Sequence, residues 1–159
     1  MQATAALEIG AMAPDFALKG PGGQIVTLSE HRGHKNVVLV FFPLAFSPVC
    51  SHQLPAIQRE IGRFEALGAV VYGISVDSHY ANTVFGERLR LTFPLLSDLR
   101  RETSAAYGVL ISSTGYSGRA IFLVDRQGRL VYKDESPAVM DPQHVPSNER
   151  VLAALAQLA

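Results

Sequence analysis

The sequence predicts an α/β fold, a mixed central β-sheet flanked by helices. Three observations carry this. The apolar, Val-rich runs Asn36–Phe42 and Ala69–Val76 read as strands buried on both faces. Between them Leu54, Ile57, Ile61 and Phe64 recur at steps of three and four, the stripe of an amphipathic helix. Near the C-terminus Ala120–Asp125 and Arg129–Asp134 flank Arg126-Gln127-Gly128, a hairpin, and a second apolar helical face follows. With 159 residues, 48% apolar and 18% charged, the chain suits one globular domain spanning 1–159.

The elements follow in order. Asp15–Lys19 and Gln24–Leu28 are short strands around a Gly20-Pro21-Gly22-Gly23 turn. That turn is too sparse in the Gly-x-x-x-x-Gly-Lys pattern for a phosphate loop. After the strand Asn36–Phe42, Ser47 is a favoured N-cap and Pro48 a favoured first helical residue, which puts Cys50 in the first turn. That helix carries the stripe and closes at Gly68. Ser78–Leu91 has weaker helical spacing, and Thr92–Asp98 reads as a short strand and turn. Glu102–Tyr107 is a short helix stopped by Gly108, and Ser112–Gly118 a polar loop. Ser147–Leu158 is a capped helix with Val151, Leu152, Leu155 and Leu158 on its apolar face. Strands alternating with helices and ending in a hairpin plus helix match a thioredoxin-like architecture.

Composition narrows the function classes. A net charge of zero argues against nucleic acid or an anionic membrane as the main partner, since both select basic surfaces. The longest apolar stretch, Val37–Phe46, is about half of a membrane span. Met1–Glu8 lacks the basic start and apolar block of a signal peptide. A single cysteine forms no internal disulfide and no ordinary four-ligand zinc site, so a cytoplasmic, reducing setting is the simplest reading. His31, His34, His79 and His144 show no ligand spacing and read as solvated, and Asp125 and Asp134 read as hairpin ends.

Cys50, that single cysteine, sits where an apolar strand gives way to a helix. A helix N-terminus offers partial positive charge and unpaired N–H groups, which favour a thiolate. An ordinary cysteine is only a few per cent thiolate at pH 7, and making the thiolate dominant takes about 2.7 kcal/mol. The helix terminus supplies up to about 2 kcal/mol, so a guanidinium is expected as a second contributor. Reaction with a peroxide further needs groups that hold the peroxide in line and donors for the departing oxygen. Ser47, three residues earlier, has a hydroxyl within reach of a molecule over the helix start. Pro43 ends the strand without an N–H, and Gln53 lies one turn on, on the face of Cys50. His52 is rotated about 200° from Cys50, so a Cys–His base pair is disfavoured. The apolar Phe42, Leu44, Phe46 and Val49 read either as core or as room for an organic hydroperoxide.

Pro43-x-x-x-Ser47-x-x-Cys50 resembles the Pro-x-x-x-(Thr/Ser)-x-x-Cys signature of the peroxiredoxins, the AhpC/TSA superfamily. Ala13-Pro14-Asp15-Phe16, Phe93–Asp98 and Gly118–Asp125 resemble three further segments of that family, in the same order. The absence of a second cysteine and the run Phe42–Phe46 are most similar to the one-cysteine alkyl hydroperoxide reductase E group. The resemblance implies a peroxidatic role for Cys50, with Arg119 steadying thiolate and peroxide. It implies that Ser47 is a hydroxyl donor, that Pro43 shields the sulfur and that Gln53 orients the arginine. It implies reduction by an external low-molecular-weight thiol, thioredoxin or glutaredoxin, a homodimer, and no metal, haem or nucleotide. Ser at 47 instead of the commoner Thr, and Pro at 48, depart from the pattern.

Other functions compete with a peroxidase. A Cys-x-x-Cys thioredoxin mechanism fails because position 47 is serine. A monothiol redox sensor or holdase would use the same sulfenic acid without turnover. An inert binding module would leave Cys50 slow to react with peroxide.

Overall fold

The computed structural model describes residues 7–48, 50–136 and 146–158, so the expectations placed on Met1–Ala6, Val49 and His144 lie outside the described residues. Its centre is a seven-stranded mixed sheet. The strands are β1 (Ala17–Lys19), β2 (Ile25–Thr27), β3 (Asn36–Phe41), β4 (Ala69–Ser75), β5 (Leu95–Ser97), β8 (Ala120–Val124) and β9 (Leu130–Glu135). They stand in the order β2-β1-β5-β4-β3-β8-β9. β3, β4 and β5 run parallel, and β8 and β1 join that core antiparallel. The helices are α1 (Cys50–Arg59), α2 (Ile61–Ala66), α3 (His79–Arg88), α4 (Glu102–Ala106) and α5 (Asn148–Ala156).

The period of two along β3 sorts the interior into two layers. Val38, Val40 and Phe42 face a cluster with Leu54, Ile57, Phe64, Phe85, Val151 and Leu155, and so with α1, α2, α3 and α5. Val37, Leu39 and Phe41 face the other layer, with Phe16, Ile74, Tyr107 and Phe122. Every residue of β3 is buried, as a central strand requires. Gly73 on β4 has a packing reason to be glycine: an added Cβ would lie 2.5 Å from Leu95 Cδ2 and 3.2 Å from Phe42 Cε1.

Several expectations are corrected. The helix expected to run to Gly68 is two helices, α1 and α2, divided at Glu60 (φ −103°, ψ 6°). The stripe is continuous through 54, 57, 61 and 64, so periodicity does not register a break when both halves face the core. The expected loop Ser112–Gly118 contains part of a small antiparallel ladder, β6 (Leu110–Ile111) with β7 (Tyr116–Ser117), whose strands are too short to show alternation. His31 is not simply solvated: its ring Nε2 lies 2.7 Å from Tyr72 Oη, and burial lowers its pKa. His34 is exposed, and the His79 ring packs on Tyr80. The hairpin is as expected, with Asp125 Oδ1 accepting the N–H groups of Gln127 and Arg129 at 3.0 and 2.9 Å. Ser147 caps α5 by accepting the Arg150 N–H at 3.3 Å.

Candidate active site

The site forms at the carboxyl ends of the parallel strands, where open α/β sheets commonly bind ligands. Phe42 N–H extends the β3–β4 ladder by donating to Ile74 C=O at 3.0 Å. Pro43, buried and without an N–H, follows it. The chain then leaves the sheet through residues 43–48 and enters α1 at Cys50. The Ser47 carbonyl accepts the Ser51 N–H at 3.0 Å and the Ser51 hydroxyl at 2.9 Å. α1 begins at Cys50, so the expectation that Pro48 opens the helix and Ser47 caps it is corrected: Ser47 contributes only a turn just ahead of the helix. Its hydroxyl is buried and has no hydrogen-bond partner among the described residues.

Register delivers the arginine. Ala120 pairs with Phe41 across β8 and β3, so Arg119 lies just past the end of β3 beside the loop to Cys50. Its Nη1 donates to Cys50 Sγ at 3.1 Å and to Gln53 Oε1 at 2.7 Å. Cys50 is 0% exposed, Arg119 1% and Gln53 5%. A guanidinium this deep is rare unless it is paired. Cys50 and Gln53 are one helical turn apart on one face, while His52 is exposed on another. The structure thus brings Cys50, Arg119 and Gln53 into contact and sets Ser47 at the same helix start. Val49 lies outside the described residues. Of the apolar neighbours, Phe42 is core, whereas Leu44 and Phe46 are exposed. The core reading therefore holds for Phe42 and not for Leu44 and Phe46.

Sequence reasoning missed the supports. The Ala45 N–H donates to Asp77 Oδ2 at 2.8 Å, and the Ser117 hydroxyl donates to the Phe42 carbonyl at 3.2 Å. Asp77 stands two residues past the end of β4, next to β3 in the sheet, and that position was the available signal. No group of three or more His, Cys, Asp or Glu suited to a metal occurs among the described residues. No helix among them is long and apolar enough to cross a membrane.

The mixed sheet, its flanking helices and a cysteine in the first helical turn after a central strand define a thioredoxin-like fold with a single-thiol site. The AhpC/TSA family profile matches residues 9–133. Alkyl hydroperoxide reductase E of Mycobacterium tuberculosis is 41% identical over 124 residues, covering 77% of this chain and 81% of the relative. The crystal structure of peroxidoxin BcpB from M. tuberculosis superposes with a TM-score of 0.86 at 27% identity, covering 96% of this chain and 99% of that one. M. tuberculosis AhpC gives a TM-score of 0.83 at 29% identity, covering 97% and 94%. The chain belongs to the AhpC/TSA family and is a peroxiredoxin, an oxidoreductase with peroxide as acceptor.

Proposed function

We propose that this chain, as one domain over 1–159, reduces hydrogen peroxide and organic hydroperoxides through Cys50 alone, with an external thiol completing the cycle. The observation that carries this reading is the Arg119 guanidinium held 3.1 Å from a buried sulfur at a helix start. A cation and a helix N-terminus both stand beside the sulfur that would act as nucleophile. The Ser47 hydroxyl, without a partner among the described residues, supplies a donor for the peroxide, and Arg119 a second for the oxygen that departs. Gln53 fixes the arginine through its Oε1, and Pro43 keeps an N–H and its water away from the sulfur. Val49, the sequence neighbour of Cys50, is proposed as a supporting residue.

In the first half-reaction the thiolate attacks one peroxide oxygen. The S–O bond forms, the O–O bond breaks, and an alcohol or water leaves with a proton, giving Cys50–SOH. In the second, an external thiol displaces water to form a mixed disulfide. A second thiol then releases Cys50 and carries away the disulfide. With one cysteine in the sequence, both reducing thiols come from outside: a low-molecular-weight thiol, thioredoxin or glutaredoxin. Excess peroxide drives Cys50 to sulfinic acid, which thiols do not reverse. The alkyl hydroperoxide reductase named among the relatives supports organic hydroperoxides as substrates. A homodimer and a cytoplasmic, reducing compartment complete the proposal.

The test is steady-state turnover with hydrogen peroxide and cumene hydroperoxide, using dithiothreitol or thioredoxin as reductant. Wild type turns over and Cys50→Ser does not. Full turnover by Cys50→Ser would end the proposal. Stoichiometric oxidation of Cys50 that no thiol recycles would favour the sensor or holdase reading.

A further inference from the structure

We infer that Asp77 is a positioning residue for the Cys50 site: its carboxylate holds the 43–47 loop closed over the sulfur. The inference rests on the peroxidase reading only for what the closed loop does; the geometry that identifies the hold is independent of it. Cys50 is 0% exposed, so either reactant reaches it only as the segment around it moves, a small peroxide by a slight movement and a bulkier thiol by a wider one. Asp77 Oδ2 accepts the Ala45 N–H at 2.8 Å, near the middle of that segment. A carboxylate accepting from a backbone N–H makes one of the stronger kinds of protein hydrogen bond.

Asp77 is itself braced by three elements. The Ser75 hydroxyl at the end of β4 donates to the same Oδ2 at 2.7 Å. Asn82 on α3 donates its Nδ2 to Ser75 Oγ at 3.0 Å and to the Leu96 carbonyl at 3.2 Å. The Ser97 hydroxyl at the end of β5 donates to the Asp77 carbonyl at 2.6 Å. Ser75 and Asn82 are both 0% exposed, so the brace is part of the interior.

The loop it holds is not relaxed. Phe46, next to Ala45, has φ 67°, a left-handed conformation that costs a bulky residue energy. The Phe46 ring lies 4.9 Å from that of Phe85 on α3, with the Arg88 guanidinium carbon 6.0 Å from its centroid. A strained segment persists only where its surroundings over-determine it. Here α3 supplies one tie through Phe85 and Arg88, and Asp77 supplies the other. Loss of the Asp77 tie shifts the loop toward open forms. Open forms place Ser47 poorly for peroxide but admit a thiol to the sulfenic sulfur. The two half-reactions therefore respond in opposite directions.

The experiment compares full-length wild type, Asp77→Ala and Asp77→Asn in three single-turnover measurements. These are oxidation by hydrogen peroxide, capture of Cys50–SOH by dithiothreitol, and reaction of reduced Cys50 with 5,5′-dithiobis(2-nitrobenzoate). Asp77→Ala is expected to slow oxidation about tenfold, the effect of losing roughly one charge-assisted hydrogen bond. It is expected to speed sulfenate capture and the disulfide reagent at least about threefold. Asp77→Asn keeps an acceptor for the Ala45 N–H and recovers most of each change. Rates that all fall together, or none that moves, would overturn the inference. If Asp77→Ala does not fold by circular dichroism, Ser75→Ala removes the brace alone and must show the same split, or the inference fails. The reagent measurement involves no peroxide. Slow peroxide oxidation in wild type with faster labelling in Asp77→Ala would sink the peroxidase reading and leave the positioning role standing.

Discussion

Replacing Arg119 by methionine removes the cation while keeping a long apolar side chain in a buried space. The guanidinium Nη1 lies 3.1 Å from Cys50 Sγ. At an effective dielectric of about 20, the gross attraction for a thiolate at that distance is about 5 kcal/mol. Most of this offsets the desolvation of two buried charges. The net value of a hydrogen bond to a charged group is about 1.5–3 kcal/mol. At about 1.4 kcal/mol per factor of ten, Arg119→Met should slow oxidation of Cys50 roughly 10- to 100-fold. The loss of a partner for Gln53 Oε1 should also lower stability by about 1–3 kcal/mol, so thermal unfolding is measured on the same preparation. Arg119→Lys keeps the charge on a different geometry and should fall between the two. The assay is single-turnover oxidation by hydrogen peroxide at pH 7. If folded Arg119→Met oxidises within about threefold of wild type, this contact does not drive the chemistry.

Other expectations are as direct. Ser47→Ala removes a hydroxyl with no hydrogen-bond partner among the described residues, so the melting temperature should hold or rise while oxidation slows about tenfold. Gly73→Ala drives a methyl against Leu95 and Phe42 and should cost about 1–3 kcal/mol in urea unfolding. The Tyr107 hydroxyl donates to the Pro14 carbonyl at 2.7 Å, and burial raises its pKa well above that of a free tyrosine. Above about pH 10 the unfolded chain loses that proton and the native state keeps it, so stability falls as pH rises. Tyr107→Phe should be less stable at pH 7 but should lose stability less steeply in alkali, as read from urea midpoints between pH 8 and 11.

The strongly periodic parts of the fold were legible from sequence. β3 and β4 announced themselves as unbroken apolar runs, and the α1 stripe as steps of three and four. The division at Glu60 was not legible, because a helix that bends while keeping one face inward leaves the stripe intact. β6 and β7, two residues each, are shorter than any pattern window. At the site, Cys50, Ser47 and Gln53 were legible from local spacing because they share one helix start. Arg119 is 69 residues from Cys50 and was placed by resemblance; the β3–β8 register supplies the physical reason it arrives there. Asp77 was not legible, since its bond to Ala45 joins residues 32 apart through a sheet neighbour that no local pattern encodes. The His31–Tyr72 pair escaped for the same reason.

The central claim is that Cys50 is tuned for peroxide, and stopped-flow oxidation of the reduced protein by stoichiometric hydrogen peroxide, with mass spectrometry of the product, tests it most directly. The account predicts a rate orders of magnitude above that of a free thiol and a sulfenic product at Cys50. A rate equal to that of free cysteine would contradict it.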